Sequence, residues 1–235
     1  MAIEMKSFPQ GFRALVIGSS GAIGTALVGR LTSDPTCDVV VGIHRGSNPA
    51  IDFDQEHSIA AAAMQLARQA PFHLIINAAG VLHSARFMPE KRLGDLHYEQ
   101  MLATFRVNAF GPALVVRHFS KLLDSERGVM AVISAKVGSI EDNRLGGWYS
   151  YRASKAALNM FLKTAAIEIK RGQANAILIA LHPGTVNSRL SQPFRGAQIG
   201  RSADEAVMDM LAVIDGLKPT DTGRFFAYDG QPLPW

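Results

Sequence analysis

The stretch Tyr151-Arg152-Ala153-Ser154-Lys155 sets a phenol and an ammonium four residues apart, and Ser134 lies seventeen residues before the tyrosine. On a helix, positions i and i+4 share one face. A free phenol titrates at about pH 10 and is a poor proton donor or acceptor at neutral pH. An ammonium one turn away favours the phenolate and draws that pKa toward working pH. A hydroxyl from Ser134 would hold a substrate oxygen against the phenol. Together these groups would move a proton onto or off a carbonyl or alcohol oxygen. The same spacing also fits two residues on the exposed side of an amphipathic helix, so the pair alone is a weak signal.

The surrounding elements must place these groups. Residues 12–17 are an apolar run ending in Gly18, and 22–31 have helical character. Between them Gly18-Ser19-Ser20-Gly21-Ala22-Ile23-Gly24 leads from strand into helix. Glycine lets the backbone turn sharply and approach a pyrophosphate, while the helix N-terminus offers free N–H groups and a positive dipole end. An ordinary strand–helix turn is the alternative. The Val-rich run 38–43 predicts a second strand, buried on both faces. Its end should lie near the adenosine ribose of a dinucleotide, where an acid would accept from the 2′-hydroxyl of NAD. His44 and Arg45 stand there instead. A cation stacks on adenine and pairs with a 2′-phosphate, which favours NADP. A solvated loop arginine is the alternative. Asp52 and Phe53 follow as candidates for the adenine side. Asp54 is placed to N-cap an Ala-rich helix running to about residue 70, and a cap is the competing role for Asp52 too.

Residues 72–76 predict a third strand, ending in Asn77-Ala78-Ala79-Gly80, small residues that let the backbone pass close to a ligand. The connection 81–92 would form part of a pocket rim. Residues 96–123 read as one long helix with Asn108 inside it, against propensity. Asn108 would widen the helix locally, hold a water or pack against a loop, and Gly111-Pro112 argues for a bend. A fourth strand, 129–133, carries Ser134 at its carboxyl end, where open α/β sheets bind ligands. The helix beginning at Tyr151 runs to about residue 171, with Ala157, Met160, Phe161, Ala165 and Ile169 as a core or subunit-interface stripe. A fifth strand, 176–181, ends in His182-Pro183-Gly184-Thr185-Val186. Pro183 and Gly184 turn the backbone toward the site, Val186 offers N–H and C=O to a flat amide, and His182 reads as a packed or capping side chain. Residues 188–201 resemble a flap over a substrate, with Val137, Gly138, Trp148 and Val186 as further lining. A helix at 203–217 and a strand at 224–228 complete the pattern. Strands and helices alternate throughout, which predicts one α/β domain over residues 1–235 with a doubly wound parallel sheet flanked by helices on both faces.

Composition narrows the class. The chain has 235 residues, 48% of them hydrophobic, enough for one good core. Its net charge of +4 comes from scattered residues, with no Lys/Arg run longer than two, so no nucleic-acid surface is expected. The single Cys37 suits a reducing compartment. No apolar run in the first ten residues has signal-peptide length, and no segment reaches membrane-spanning length. The expectation is a cytoplasmic protein without a membrane partner. The seven histidines show no metal-ligand spacing, so no metal is expected.

Taken in order, Gly18…Gly21…Gly24, Asn77-Ala78-Ala79-Gly80, Asn108, Ser134, Tyr151-x-x-x-Lys155 and Pro183-Gly184 resemble the short-chain dehydrogenase/reductase family over nearly the whole chain. The stretch 138–160 and the Tyr-Asp-Gly tail are similar to its C-factor and carbonyl-reductase-like branch. The resemblance implies a Rossmann-like fold and an NADP-dependent oxidoreductase that passes hydride between nicotinamide and a small carbonyl or alcohol substrate. It implies Tyr151 as general acid/base, and Lys155 as the group that lowers its pKa and binds the nicotinamide ribose. A serine would orient the substrate oxygen, and Asn108 would hold a water in a proton relay. The sequence departs from the family pattern in three places. Its glycines are spaced G-x-x-G-x-x-G rather than G-x-x-x-G-x-G. Ala78 replaces an Asn. Ala135 stands where a second, catalytic serine is common, so Ser139 competes with Ser134. A C-factor-like signalling protein with incidental activity, and a lyase or epimerase on the same fold, are the alternative functions. A homodimer or homotetramer is expected from the apolar helix faces.

Overall fold

Six short apolar runs become parallel strands in a computed structural model, which describes residues 4–194 and 196–235. The strands are β1 (Phe12–Ile17), β2 (Cys37–Ile43), β3 (Leu74–Asn77), β4 (Val129–Ile133), β5 (Ile177–His182) and β6 (Phe225–Ala227). They form one sheet in the order β2-β1-β3-β4-β5-β6. β3 and β4 are buried along their whole length, as expected for β-branched and aliphatic strands covered on both faces. The order reverses between β1 and β3, and ligands bind outside the carboxyl ends of strands at such a switch point. The doubly wound parallel sheet predicted from the alternation is the fold observed, and it is Rossmann-like, as the resemblance implied.

The helices that cover the sheet are α1 (Ala22–Thr32), α2 (Glu56–Leu66), α3 (Tyr98–Phe105), α4 (Gly111–Phe119), α5 (Tyr149–Gly172), the short α6 (Gly196–Ile199) and α7 (Ala203–Gly216). One core joins α2, α4 and α5 to the sheet through Ile59, Val115, Phe119, Leu158 and Leu162. The other joins α1 and α7 through Leu27, Leu31, Val207, Met210 and Ile214, closed by Met5 and Phe8. Among the described residues no helix is long and apolar enough to cross a membrane. The first three residues of the stretch read for a signal segment, and residue 195 of the 188–201 flap, lie outside the described residues.

Several local expectations are corrected. β2 is not buried on both faces: only Ile43 is fully buried, because β2 is an edge strand and its valines are half covered. Asp54 does not cap α2. The helix starts at Glu56 with Gln55 at the N-cap, and the Asp54 N–H instead donates to Asp52 Oδ1 in a local turn. The stretch 96–123 is not one helix but α3, a π-helical turn Arg106–Phe110 and α4. Gly111-Pro112, read as a bend, falls where the π-helical turn passes into α4, with Pro112 in the first turn of that helix. The buried stripe of α5 is Tyr151, Ser154, Lys155, Leu158, Leu162 and Ala166. Of the stripe read as core or subunit interface, Ala165 and Ile169 pack against the core, while Met160 and Phe161 are exposed, because the sheet lies against the neighbouring arc of the helix.

Candidate active site

The glycine turn leaves β1 with Gly18 at φ +83°. A Cβ there would stand 2.8 Å from Ala79 N, so glycine is what lets the turn pack on the strand-end segment Ala78–Gly80. A Cβ on Gly24 would overlap the Gly18 carbonyl oxygen at 2.2 Å, so Gly24 seats α1 against its own entry turn. No side chain caps α1 and its first turn has no acid. Its N–H groups and positive dipole end therefore face the groove uncompensated, the electrostatics an anionic phosphate needs.

That groove is lined by Gly18, Ser20, Gly21, His44, Arg45, Asp52, Phe53 and Ala78–Gly80. The tertiary structure thus gathers the phosphate-side and adenosine-side residues picked from three separate loops. Arg45 is exposed at the rim. Phe53 is seated by Gly111, where a Cβ would fall 2.4 Å from the ring. Ser19, Ala22, Gly24 and Asn77 are not part of this lining. Ser19 contributes its carbonyl to Thr25 Oγ1, and Asn77 Oδ1 accepts from Ala79 N. Ser19 and Gly24 thus shape the turn, and Asn77 the strand-end segment it packs on.

The groove opens into a cavity of about 300 Å³ that shares Ala78, Ala79 and Gly80 with it. Tyr151, Lys155, Ser134, Ile23, Pro183, Gly184 and Val186 line this second chamber. Val186 already uses its carbonyl, which accepts from Ser191 Oγ, and Ser188, Leu190, Ser191, Phe194 and Ile199 line the cavity beside it. His182 also lines the cavity rather than capping an element. Burial pushes its pKa down to about 4, so the imidazole is neutral, with Nδ1 buried and unpartnered. Gly138, expected in the lining, lies beneath Lys155 instead, where a Cβ would meet the lysine Cβ at 2.6 Å.

Lys155 Nζ is buried and donates to the Ile133 carbonyl oxygen at 3.0 Å. It stands 6.0 Å from the centre of the Tyr151 ring. Burial pushes the lysine pKa down to about 8 and the tyrosine pKa up to about 12. The expected lowering of the phenol by its neighbour is therefore not what this structure shows. The ammonium is committed to a backbone carbonyl, and desolvation of the phenolate dominates.

Asn108 is fully buried in the π-helical turn, where the extra residue per turn aims its amide at the connection after β3. Its Oδ1 accepts from Val81 N at 2.9 Å, and its Nδ2 donates to Val81 O at 2.7 Å and to Ser154 Oγ at 3.2 Å. A Cβ on Gly80 would lie 3.5 Å from Asn108 Oδ1 and 3.7 Å from Lys155 Nζ, so both polar groups converge on that glycine. Of the two serines, Ser134 lines the cavity, with its hydroxyl donating to Asn159 Oδ1 at 2.7 Å. Ser139 is turned away. Its hydroxyl donates to the Trp235 carbonyl oxygen at 3.2 Å and accepts from Asp142 N at 3.1 Å.

Sequence reasoning missed Glu90. This acid is only 2% exposed, and both its carboxylate oxygens are taken by Ser150, whose N–H donates to Oε2 at 3.1 Å and whose hydroxyl donates to Oε1. Its partner lies sixty positions away, so no local pattern could reveal it. Lys136 also lines the cavity unannounced, whereas Phe194 does so from the segment read as a flap. Among the described residues no cluster of His, Cys, Asp and Glu could hold a metal ion.

A family model described as short chain dehydrogenase matches residues 48–198. The chain is 36% identical over 168 residues to C-signal of Myxococcus xanthus, covering 70% of this chain and 93% of that protein. It is 30% identical over 187 residues to 1-hydroxy-2-glutathionyl-2-methyl-3-butene dehydrogenase of a Rhodococcus species, covering 80% of this chain and 79% of the relative. Among solved structures it is similar in fold to an NADPH-bound carbonyl reductase from chicken fatty liver, with a TM-score of 0.83, 22% identity, and coverage of 97% and 96%.

Proposed function

The chain belongs to the short-chain dehydrogenase family of NAD(P)-dependent oxidoreductases, and from that premise we propose that it is an NADP-preferring reductase of ketones or aldehydes. One observation carries the reading: buried Tyr151 and Lys155 line a chamber that shares the Ala78–Gly80 wall with the groove of the glycine turn and Arg45. The residues along that wall would hold a dinucleotide, and its nicotinamide would supply the hydride.

The chain's own residues do the rest. Tyr151 is the general acid. With its pKa pushed up to about 12 it is protonated at neutral pH, ready to give its proton to the oxygen of a carbonyl being reduced. Lys155 places a positive charge behind the developing anion and holds the ribose. Asn108 fixes the Val81 backbone and, through Ser154, the helix that carries Tyr151. The Val186 segment would lie beside the bound cofactor and help exclude water. Ser134 orients the substrate oxygen once its hydroxyl turns from Asn159. Ser134→Ala is expected to lower kcat about tenfold, whereas Ser139→Ala should leave kcat intact and lower thermal stability by freeing the 139–142 turn. The opposite pattern in initial rates and melting would transfer the role to Ser139.

Arg45 stands at the rim where a 2′-phosphate would lie. Arg45→Asp is expected to weaken NADPH binding at least tenfold and to improve NADH binding, read by nicotinamide fluorescence. An unchanged affinity ratio would show that another residue reads the phosphate. The same titration tests the whole reading, because a folded wild-type protein that binds neither nucleotide is no such reductase. The exposed Met160 and Phe161 on α5 suit a homodimer or homotetramer, which sedimentation would resolve.

The identity to C-signal favours a second reading, a dinucleotide-binding signalling protein whose turnover is incidental. An intact biological response with Tyr151→Phe would support it over the reductase.

A further inference from the structure

The last three residues of the loop before α5 share an unusual backbone. Gly146, Gly147 and Trp148 have φ of +63°, +64° and +51°, and Trp148 is the one non-glycine residue at positive φ among the described residues. A left-handed backbone is a strained state for a bulky side chain and persists only where its surroundings over-determine it. They do so here. The Trp148 N–H donates to the Glu90 carbonyl oxygen, and its carbonyl accepts from Arg152 N at 2.8 Å. The Glu90 carboxylate grips Ser150 two residues on. Arg152 Nε donates to Gly147 O at 3.0 Å and Nη1 to Val137 O at 3.3 Å. Nothing in α5 itself calls for this arrangement, since a small polar residue would cap the helix without strain.

What the strained backbone achieves is a direction. The indole is aimed into the cavity, edge-on to Tyr151 at 6.1 Å and 77°, and edge-on to Phe194 at 5.0 Å and 61°. Phe194 in turn meets His83 at 5.8 Å, and His83 Nε2 lies 3.0 Å from the Arg189 carbonyl oxygen. Three segments distant in sequence thus put one aromatic wall beside the phenol. Leu82, Val137 and Leu190 complete an apolar surround. A flat ring laid against this wall gains offset or T-shaped contacts that a flexible alkyl chain does not, and it loses little conformational freedom on binding.

We propose that Trp148 is a specificity-determining residue, and that the chamber takes carbonyl compounds bearing an aryl group on the carbonyl carbon, with the ring laid against the wall that Trp148 and Phe194 form together and the oxygen at Tyr151. This rests on the hydride-transfer reading above for its chemistry, but not for its binding. The reaction consumes one hydride from the nicotinamide and one proton from Tyr151, and leaves an aryl carbinol.

The test compares wild type with Trp148→Ala, Trp148→Phe and Phe194→Ala. The substrates are benzaldehyde and hexanal, with whichever nicotinamide nucleotide binds at saturation. Binding of benzamide, an aryl carbonyl compound that is not reduced, is followed calorimetrically. Wild type is expected to favour benzaldehyde at least tenfold in kcat/KM. Trp148→Ala and Phe194→Ala should bring the ratio near one and weaken benzamide at least tenfold, with nucleotide affinity within twofold of wild type. Trp148→Phe should restore most of the preference. A benzaldehyde-to-hexanal ratio that stays at the wild-type value in both alanine variants would overturn the proposal, as would wild type that reduces hexanal but neither prefers benzaldehyde nor binds benzamide. Wild type that binds benzamide through Trp148 but reduces neither aldehyde would keep the aryl-binding wall and overturn hydride transfer. Failure of both binding and reduction would overturn both. Phe194→Ala acts from the 188–201 segment, so it reads the wall even if the strained turn fails to form in a Trp148 variant.

Discussion

Tyr151→Phe is expected to lower kcat about 10³-fold while nucleotide binding stays within twofold of wild type. The ring is only 9% exposed and packs against Leu82 and Ala135, so phenylalanine keeps the shape and removes only the hydroxyl. General acid catalysis by a positioned group contributes roughly 10²–10⁴-fold, which sets the size of the loss. A merely structural tyrosine would show a changed melting temperature and little kinetic loss. Retention of more than a tenth of wild-type kcat would end the proposed mechanism. The direction of the pKa adds a second signature. Because burial pushes the phenol up to about 12, carbonyl reduction has its proton donor filled at neutral pH. Alcohol oxidation needs the phenolate, so its rate should climb with pH between about 8 and 10. A flat oxidation profile would show that another group takes the proton.

Lys155→Met should lose activity and gain stability together. The lysine is a buried ammonium with a backbone carbonyl as its hydrogen-bond partner, and no carboxylate appears among the causes of its shift. Its fall from 10.5 to about 8 corresponds to roughly 3 kcal/mol against the charged form. Leaving the Ile133 carbonyl unpaired takes back roughly 1–3 kcal/mol. A net rise in melting temperature of about 2–4 °C at pH 7 is the expected result for a chain of this size, with kcat down about 10²-fold or more. The sign of the pH dependence follows from linkage. Between about 8 and 10.5 the unfolded chain binds the lysine proton more tightly than the folded one, so wild-type stability from this group rises with pH through that window. The advantage of Lys155→Met should therefore be full below about pH 8 and shrink toward 10.5. Tyr151, raised from 10.0 to about 12, acts oppositely: its contribution is complete below pH 10 and is lost above it, so the measurement belongs between pH 7 and 10. A melting temperature that falls in Lys155→Met at pH 7 would mean that the Ile133 bond outweighs the buried charge.

The fold was largely legible because its signals are local and repeated. Apolar runs of strand length alternated with helical spacing, and glycine or proline marked the joins. Where the reading failed, the deciding fact lay elsewhere in the chain. The valines of β2 carry no mark of an edge strand, since an edge is defined by which strand does not pair beyond it. Asp54 has the right chemistry for a cap, but Asp52 holds its N–H in a turn that delays the helix by one residue. The exposure of Met160 and Phe161 depends on which arc of α5 the sheet covers.

The candidate site divides along the same line. The sequence by itself determined the strand-to-helix glycine turn of Gly18–Gly24 and the spacing of Tyr151 and Lys155, because a local turn and a helical i,i+4 pair are set by near neighbours in the chain. Only the tertiary structure decided that the groove and the chamber share one wall, that Lys155 bonds to a carbonyl of β4, and that Ser134 rather than Ser139 lines the cavity. Only it decided that Glu90 holds Ser150 from sixty residues away while a left-handed Trp148 is turned toward the phenol. Each of these rests on burial and on partners brought together by the sheet, and burial is a property of the packed molecule rather than of any stretch of chain.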